Sequence, residues 1–345
     1  MSEMKRRLML AAVGTDYRAV MEGPRSHPAV VTVEVGVHAT ELARNGVVGE
    51  DSLVFAPQDD PPGIPGVVTY RGSVWNEGDE LNLGGSFYLQ AQKYAICEYM
   101  SVVGPTVIRV KDEEDFAIFL RDADIARESG AFPIYLANPL VFLADIPALG
   151  EPWKASGPDQ RIHVRGNGEV SVSAFGKCLG TTDTPLSTLK ARWEHENGVS
   201  QAPCAVALGE AVGEGVRSEG VRDRPWLGRY LAALNTIRQG LARGMAGLRV
   251  SGFGGYLAPG EGDLTDPANV IPVVSWNEDK ALLFDPRSNR AFGMGTEAAA
   301  LVELLLRFGS PERASESAPL EALRQAELQL AGFGISPVDV TGGEE

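Results

Sequence analysis

A chain of 345 residues can hold two or three globular units, and 44% hydrophobic with 22% charged residues is the composition of folded protein, without the bias of a disordered or membrane-embedded one. Thirty-one Lys+Arg against 46 Asp+Glu leave a formal net charge of −15. That balance argues against duplex binding, which draws its affinity from cations that neutralise phosphates.

Near the start, Lys5-Arg6-Arg7 precedes the apolar run Leu8 to Val13, which lacks a small-x-small cleavage pattern and reads as a first buried strand. No stretch reaches the roughly 18 apolar residues needed to cross a bilayer. Residues 1–150 read as a mixed α/β domain: strands at Val30 to Val37, Leu53 to Phe55 and Val67 to Tyr70, a helical tract from Tyr88 to Met100, then a strand from Thr106 to Val110. Asp112 or Glu113 begins a helix carrying Phe116, Phe119, Leu120 and Ile125, and Phe132 to Leu136 reads as a further strand. Asp59 to Gly66 is a Pro/Gly-rich loop, and Ala148 to Gln160 reads as a boundary.

Residues 151–262 continue the body. Arg161 to Val164 and Glu169 to Ala174 flank Gly166-Asn167-Gly168, a hairpin pattern because Asn-Gly accommodates positive φ at both turn positions. A long helix starting near Asp223-Arg224-Pro225 carries Tyr230, Leu234, Ile237, Leu241 and Met245 on one stripe. Gly255 to Asn269 has the Gly, Pro and Asp content of a linker.

The tail, 268–337, is the most regular part. Val270 to Trp276, Ala281 to Asp285 and Arg290 to Met294 read as three short strands separated by Asn277-Glu278-Asp279 and Pro286-Arg287-Ser288-Asn289, hence an antiparallel meander. Thr296 is placed to cap a helix bearing Ala299, Leu301, Val302, Leu305 and Leu306, which Gly309 stops after Phe308. Ser310-Pro311-Glu312 opens a short helical turn and Pro319-Leu320 a third helix. Leu323, Ala326, Leu330 and Phe333 form its inward stripe, leaving Glu321, Arg324, Gln325 and Leu328 outward or towards a groove.

Chemical constellations are weak. Gly252-Phe253-Gly254-Gly255 lacks nucleotide-binding spacing and reads as a turn, and Glu261, Asp263 and Asp266 read as a solvated acidic linker, so neither a metal nor a cofactor is expected. His27, His38, His163 and His195 are isolated in sequence, and no G-x-S-x-G elbow occurs. Cys97, Cys178 and Cys204 are odd in number, without C-x-x-C, which points to neither a disulfide framework nor a zinc site and to a reducing cytoplasm. Cys178 reads as a small core residue, and Trp193 with Arg192, Glu194 and His195 as packing if buried or an interface if exposed.

The tail's order of strands and helices, with KALLFDPRSNRAFGMGTEAAALVELLL as its core, resembles the PqqD-like recognition elements of ribosomally made, post-translationally modified peptides (RiPPs). The fold class expected is α+β: a mixed α/β body with a C-terminal winged-helix-like domain of three antiparallel strands plus three helices. The resemblance implies a non-catalytic role, in which a precursor's leader peptide adds as a strand beside Arg290, Ala291, Phe292, Gly293 and Met294 and packs against the side of the last helix that bears Glu321, Arg324, Gln325 and Leu328. A narrower resemblance, to recognition proteins of daptide biosynthesis, implies a modifying enzyme, an oxidative decarboxylase, as second partner. With surplus acid in this chain, a basic or mixed leader is expected, and neither nucleic acid nor membrane is an expected partner. Two alternatives stay open: an enzyme with a ligand pocket in the body, and a winged-helix DNA-binding regulator.

Overall fold

In a computed structural model of the chain, the described residues are 8, 26–150, 157–201, 204–260, 264 and 271–335. The fold is α+β and divides into two compact units, Met1–Leu120 with Leu140–Arg224, and Arg121–Pro139 with Pro225–Glu345. The segment 151–262 is thus shared between the units, dividing at Arg224.

In chain order the elements begin with β1 (Val30–Val33), α1 (Gly36–Arg44), β2 (Leu53–Pro57), β3 (Val67–Gly72), β4 (Glu80–Leu83), β5 (Phe87–Lys93), β6 (Thr106–Arg109) and α2 (Glu113–Ser129), within which the units divide. The short α3 (Ile134–Ala137) belongs to the second unit. The first unit resumes with β7 (Val141–Leu143), β8 (Arg161–Val164), β9 (Glu169–Ser171), β10 (Gly180–Thr181), α4 (Leu186–Val199) and α5 (Glu214–Arg222). Its strands form one ten-stranded sheet in the order β10-β9-β8-β1-β2-β3-β4-β5-β6-β7.

The central run β8-β1-β2-β3 is parallel. All four residues of β1 are buried and three are valine, the pattern of a strand covered on both faces. Where β1 ends, the chain turns sharply into α1, so the strand expected from Val30 to Val37 stops at Val33. Gly36 makes that turn possible: its N–H donates to Asp60 Oδ2 at 2.7 Å, and a Cβ there would lie 1.7 Å from the Asp60 carbonyl oxygen. The expected hairpin forms between β8 and β9, with Gly168 at φ 85° and Asn167 Oδ1 accepting from the Glu169 N–H at 3.1 Å.

Four further expectations for the body fail. Tyr88 to Met100 is not one helix: β5 runs to Lys93 and a 3-10 turn covers Tyr94–Tyr99. The period there is two, with Phe87, Leu89 and Ala91 buried while Tyr88 is exposed. Phe132 to Leu136 is not a strand: Pro133 precedes the single turn α3, and β7 follows it. Cys178 is exposed and not a core residue, and all three cysteines are free. Leu8 is buried in helical conformation, unlike the strand expected there, and Met9 to Val13 lie outside the described residues.

The second unit continues with α6 (Leu227–Ala242), β11 (Arg249–Val250), β12 (Val273–Trp276), β13 (Ala281–Asp285), β14 (Arg290–Met294), α7 (Thr296–Phe308), α8 (Pro311–Ala314) and α9 (Leu320–Gly332). The expected three-stranded sheet is four-stranded, antiparallel, in the order β11-β12-β13-β14. Its two faces are covered differently. Val274, Trp276, Ala281 and Leu283 join the apolar core of α7, α8 and α9, whereas α6 packs on β12 and β13 from the other side, with Gly240 close above Leu282. Thr296 is the first residue of α7 and not its cap; Gly295 precedes the helix without any side-chain bond. Ser310 does cap α8, its side chain accepting from the Arg313 N–H at 3.3 Å.

Candidate functional site

β14 is the terminal strand of the second unit's sheet, and no strand among the described residues lies on its outer side. An edge of this kind leaves alternate N–H and C=O groups pointing outward. Along it, side chains alternate between faces. Phe292 and Met294 pack against the helical core, while Ala291 and Gly293 lie opposite Phe284 and Leu282 on the α6 face.

On the helical face, the Phe292 ring stacks on Phe333 at a centroid distance of 4.5 Å and 22°, and the Arg290 guanidinium lies 4.9 Å from the Phe292 centroid. Phe333, at the C-terminal end of α9, is 37% exposed, so the inward stripe of that helix ends in a half-open aromatic contact. Leu323, Ala326 and Leu330 are buried as the spacing predicted. Glu321, Arg324, Gln325 and Leu328 are all exposed, and Arg324 reaches Glu312 Oε1 at 3.2 Å. At about 100° per residue, Gln329 and Gln325 are the exposed residues nearest to the Phe333 side of the helix, while Glu321, Arg324 and Leu328 turn further towards solvent. Leu328 is nonetheless a large apolar side chain at 73% exposure.

The α6 face of the edge holds a feature the sequence did not announce. Arg243, Met245, Lys280, Ala281, Leu282, Ala291, Gly293 and Met294 line an open concavity of ≈ 590 Å³. Arg243 Nη2 donates to the Ala291 carbonyl oxygen at 3.3 Å. A Cβ on Gly293 would meet nothing within 4 Å, and its φ is not in the left-handed range, so the residue leaves space there without satisfying a backbone need.

The first unit contains a second polar centre. On one face of its sheet, His163 Nε2 lies 3.1 Å from Glu34 Oε1, and the Gly166 N–H donates to Glu34 Oε2 at 2.8 Å. Trp75 meets the His163 ring edge-on at 4.4 Å, and the Arg109 guanidinium lies 5.3 Å from the Trp75 ring. Asp145 receives Arg161 Nη2 at 2.7 Å and lies 3.5 Å from Arg109 Nη1. It is held at φ 55°, a conformation that Asp tolerates better than most residues.

Burial pushes the His163 imidazole below its ordinary value, against the opposing pull of Glu34. Burial raises the Glu34 carboxyl, but bonds from His163 and the Gly166 N–H together with nearby cations leave it below the usual carboxylate range. Burial also pushes Arg109 down to about 10, still charged at neutral pH. His163 Nδ1 is buried without a hydrogen-bond partner among the described residues, and Nε2 is held by Glu34. The cluster links the residue that follows β1 to β8, its parallel neighbour in the sheet. Sequence could have exposed it only through the alternation Arg161, His163, Arg165 along β8 and the residue after it.

The remaining candidates are dispersed. His38 bridges Glu41 Oε2 and the Gly166 carbonyl oxygen, His195 is exposed, and Trp193 is buried. Gly252 to Gly255 form a bend with Val250 bridging Phe253, and Glu261, Asp263 and Asp266 lie outside the described residues. Among the described residues no group of three or more His, Cys, Asp or Glu is placed to hold a metal ion, and no helix is long and apolar enough to cross a membrane.

No family model, curated protein or solved structure matches this chain.

Proposed function

We propose that this chain captures an extended segment of a ribosomally made precursor peptide by strand addition at β14 and presents it to a modifying enzyme. The observation that carries the reading is the outer side of β14, which no strand among the described residues joins and which is flanked by the exposed edge of the Phe292–Phe333 stack. Main-chain bonds to such an edge supply affinity, and side-chain pockets on the two faces supply selection.

In its finer form the tail acts as a winged-helix-like, PqqD-type recognition element, and the pathway is daptide biosynthesis with an oxidative decarboxylase as the enzyme served. Tethering the leader raises the local concentration of the distant core segment to roughly millimolar when the connecting chain spans the gap. Ordering the leader costs about 1–2 kcal/mol per residue, so apolar anchors must add to the main-chain bonds. Phe292 and Phe333 supply one such anchor, and Leu328, on the more solvent-facing side of α9, a second.

A backbone N-methyl scan of a bound peptide tests the mode of capture, read by fluorescence anisotropy. Strand addition predicts loss of binding at every second position, because successive N–H groups of a strand point to opposite sides. Phe292→Ala and Leu328→Ser should each weaken binding at least fivefold, and Leu328→Ser, at an exposed position, should change stability by no more than about 0.5 kcal/mol. A flat methylation profile, or unchanged affinity in both variants, would remove β14 as the site.

A further inference from the structure

We propose that the edge of the tail sheet is read on both faces, and that the concavity beside Ala291 and Gly293 takes acidic side chains of the bound peptide. The inference rests on strand addition at β14 and names what that strand must carry. A strand laid beside β14 sends alternate side chains to opposite faces of the sheet. One set meets Phe292 and Phe333; the other enters the space over Leu282.

That second space is apolar at its floor and cationic at its rim. Leu282, Ala291, Gly293 and the buried Met245 make the floor, and Arg243 and Lys280, both exposed, stand above it. Neither cation has a carboxylate within ion-pair distance among the described residues; Arg243 instead donates to the Ala291 carbonyl oxygen. The residues of β14 on this face are the two smallest in the strand, so the space is open up to the backbone that an incoming strand would join. A carboxylate carried on that strand can pair with Arg243 and Lys280 while its methylene stem covers the apolar floor.

The ligand class is therefore an extended peptide in which acidic residues alternate with apolar or aromatic ones. This differs from the basic or mixed leader suggested by the net charge of −15. Distant charges are screened beyond about 8 Å at physiological ionic strength, so the two local cations decide the sign of the contact.

A displayed library of random twelve-residue peptides, selected against the whole chain, tests this without knowledge of the natural ligand. Enriched peptides should alternate apolar and acidic residues. A synthetic enriched peptide should bind the Arg243→Glu/Lys280→Glu variant about tenfold more weakly, and replacing its acidic residues by Lys should restore binding to that variant. Gly293→Val, which fills the concavity, should abolish the acidic preference in a repeated selection while the apolar preference persists. Thermal melting checks that each variant is folded. Enrichment of apolar residues alone, or affinity indifferent to the charge reversal, overturns the acidic subsite while strand addition stands. A selected peptide whose N-methyl scan lacks a two-residue period removes both.

Discussion

His163 shows how a single buried ring sets an acid limit on the fold. Its imidazole is 4% exposed and its folded pKa is lowered from the ordinary 6.5, chiefly by burial. Above that ordinary value both folded and unfolded rings are neutral and the fold is favoured. As pH falls through 6.5 towards the folded value, the unfolded chain takes up the proton first and stability is lost. Glu34 acts in the same direction at lower pH, because its folded carboxyl also lies below its ordinary 4.5. The expected result for His163→Gln is a melting temperature that varies less between pH 7 and pH 5 than in the parent chain, measured by circular dichroism. An equally steep dependence would assign the acid sensitivity elsewhere. None of this was visible as sequence: His163 pairs with Glu34 across 129 positions, and its spacing from the other histidines carries no pattern.

At the scale of elements, Gly36 joins β1 to α1 through close approach to Asp60. Gly36→Ala should cost about 2–4 kcal/mol, because the added methyl meets backbone and not a movable side-chain end. Urea unfolding would measure it, and a loss below 0.5 kcal/mol would mean the turn relaxes freely. The tail was the most legible part of the sequence. β13 and β14 and α7 end at the residues where turn formers, Gly295 and Gly309 stand, and the stripe Leu323, Ala326 and Leu330 is buried as its spacing requires. Local signals sufficed there because each strand pairs with the next in sequence. They failed for β11, two residues long and paired with a strand that begins more than twenty positions later. In the body, β1 pairs with β8 across 131 positions, a relation no local window contains. The edge residues of the candidate site were likewise legible, whereas the concavity was not: Arg243 and Lys280 come from separate elements and meet only in the fold.

Across the molecule, the second unit is assembled from two separate stretches of chain. Phe132, from the shorter stretch, stacks on Tyr230 at 5.9 Å and meets Phe253 at 5.3 Å, while Arg238 Nε donates to the Leu136 carbonyl oxygen at 2.7 Å. A fragment comprising residues 225–345 should therefore melt below the full chain. A synthetic peptide of residues 121–139 should raise its melting temperature in a concentration-dependent way, since a ligand of the folded state stabilises it by mass action. No shift at millimolar peptide would show that the shorter stretch contributes little.

Arg243, resting on the carbonyl of Ala291, has a consequence for how the protein keeps company with itself. Bare sheet margins invite identical neighbours to pair, and cationic side chains beside them are a common deterrent. Two copies meeting margin to margin would bring their guanidinium groups together, whereas an acidic guest would find them welcoming. Arg243→Ala should accordingly shift sedimentation towards dimers at high concentration, and a variant that stays monomeric would place the safeguard in the brevity of the strand. Tolerance of crowding by its own kind and preference for a foreign guest would then share one side chain.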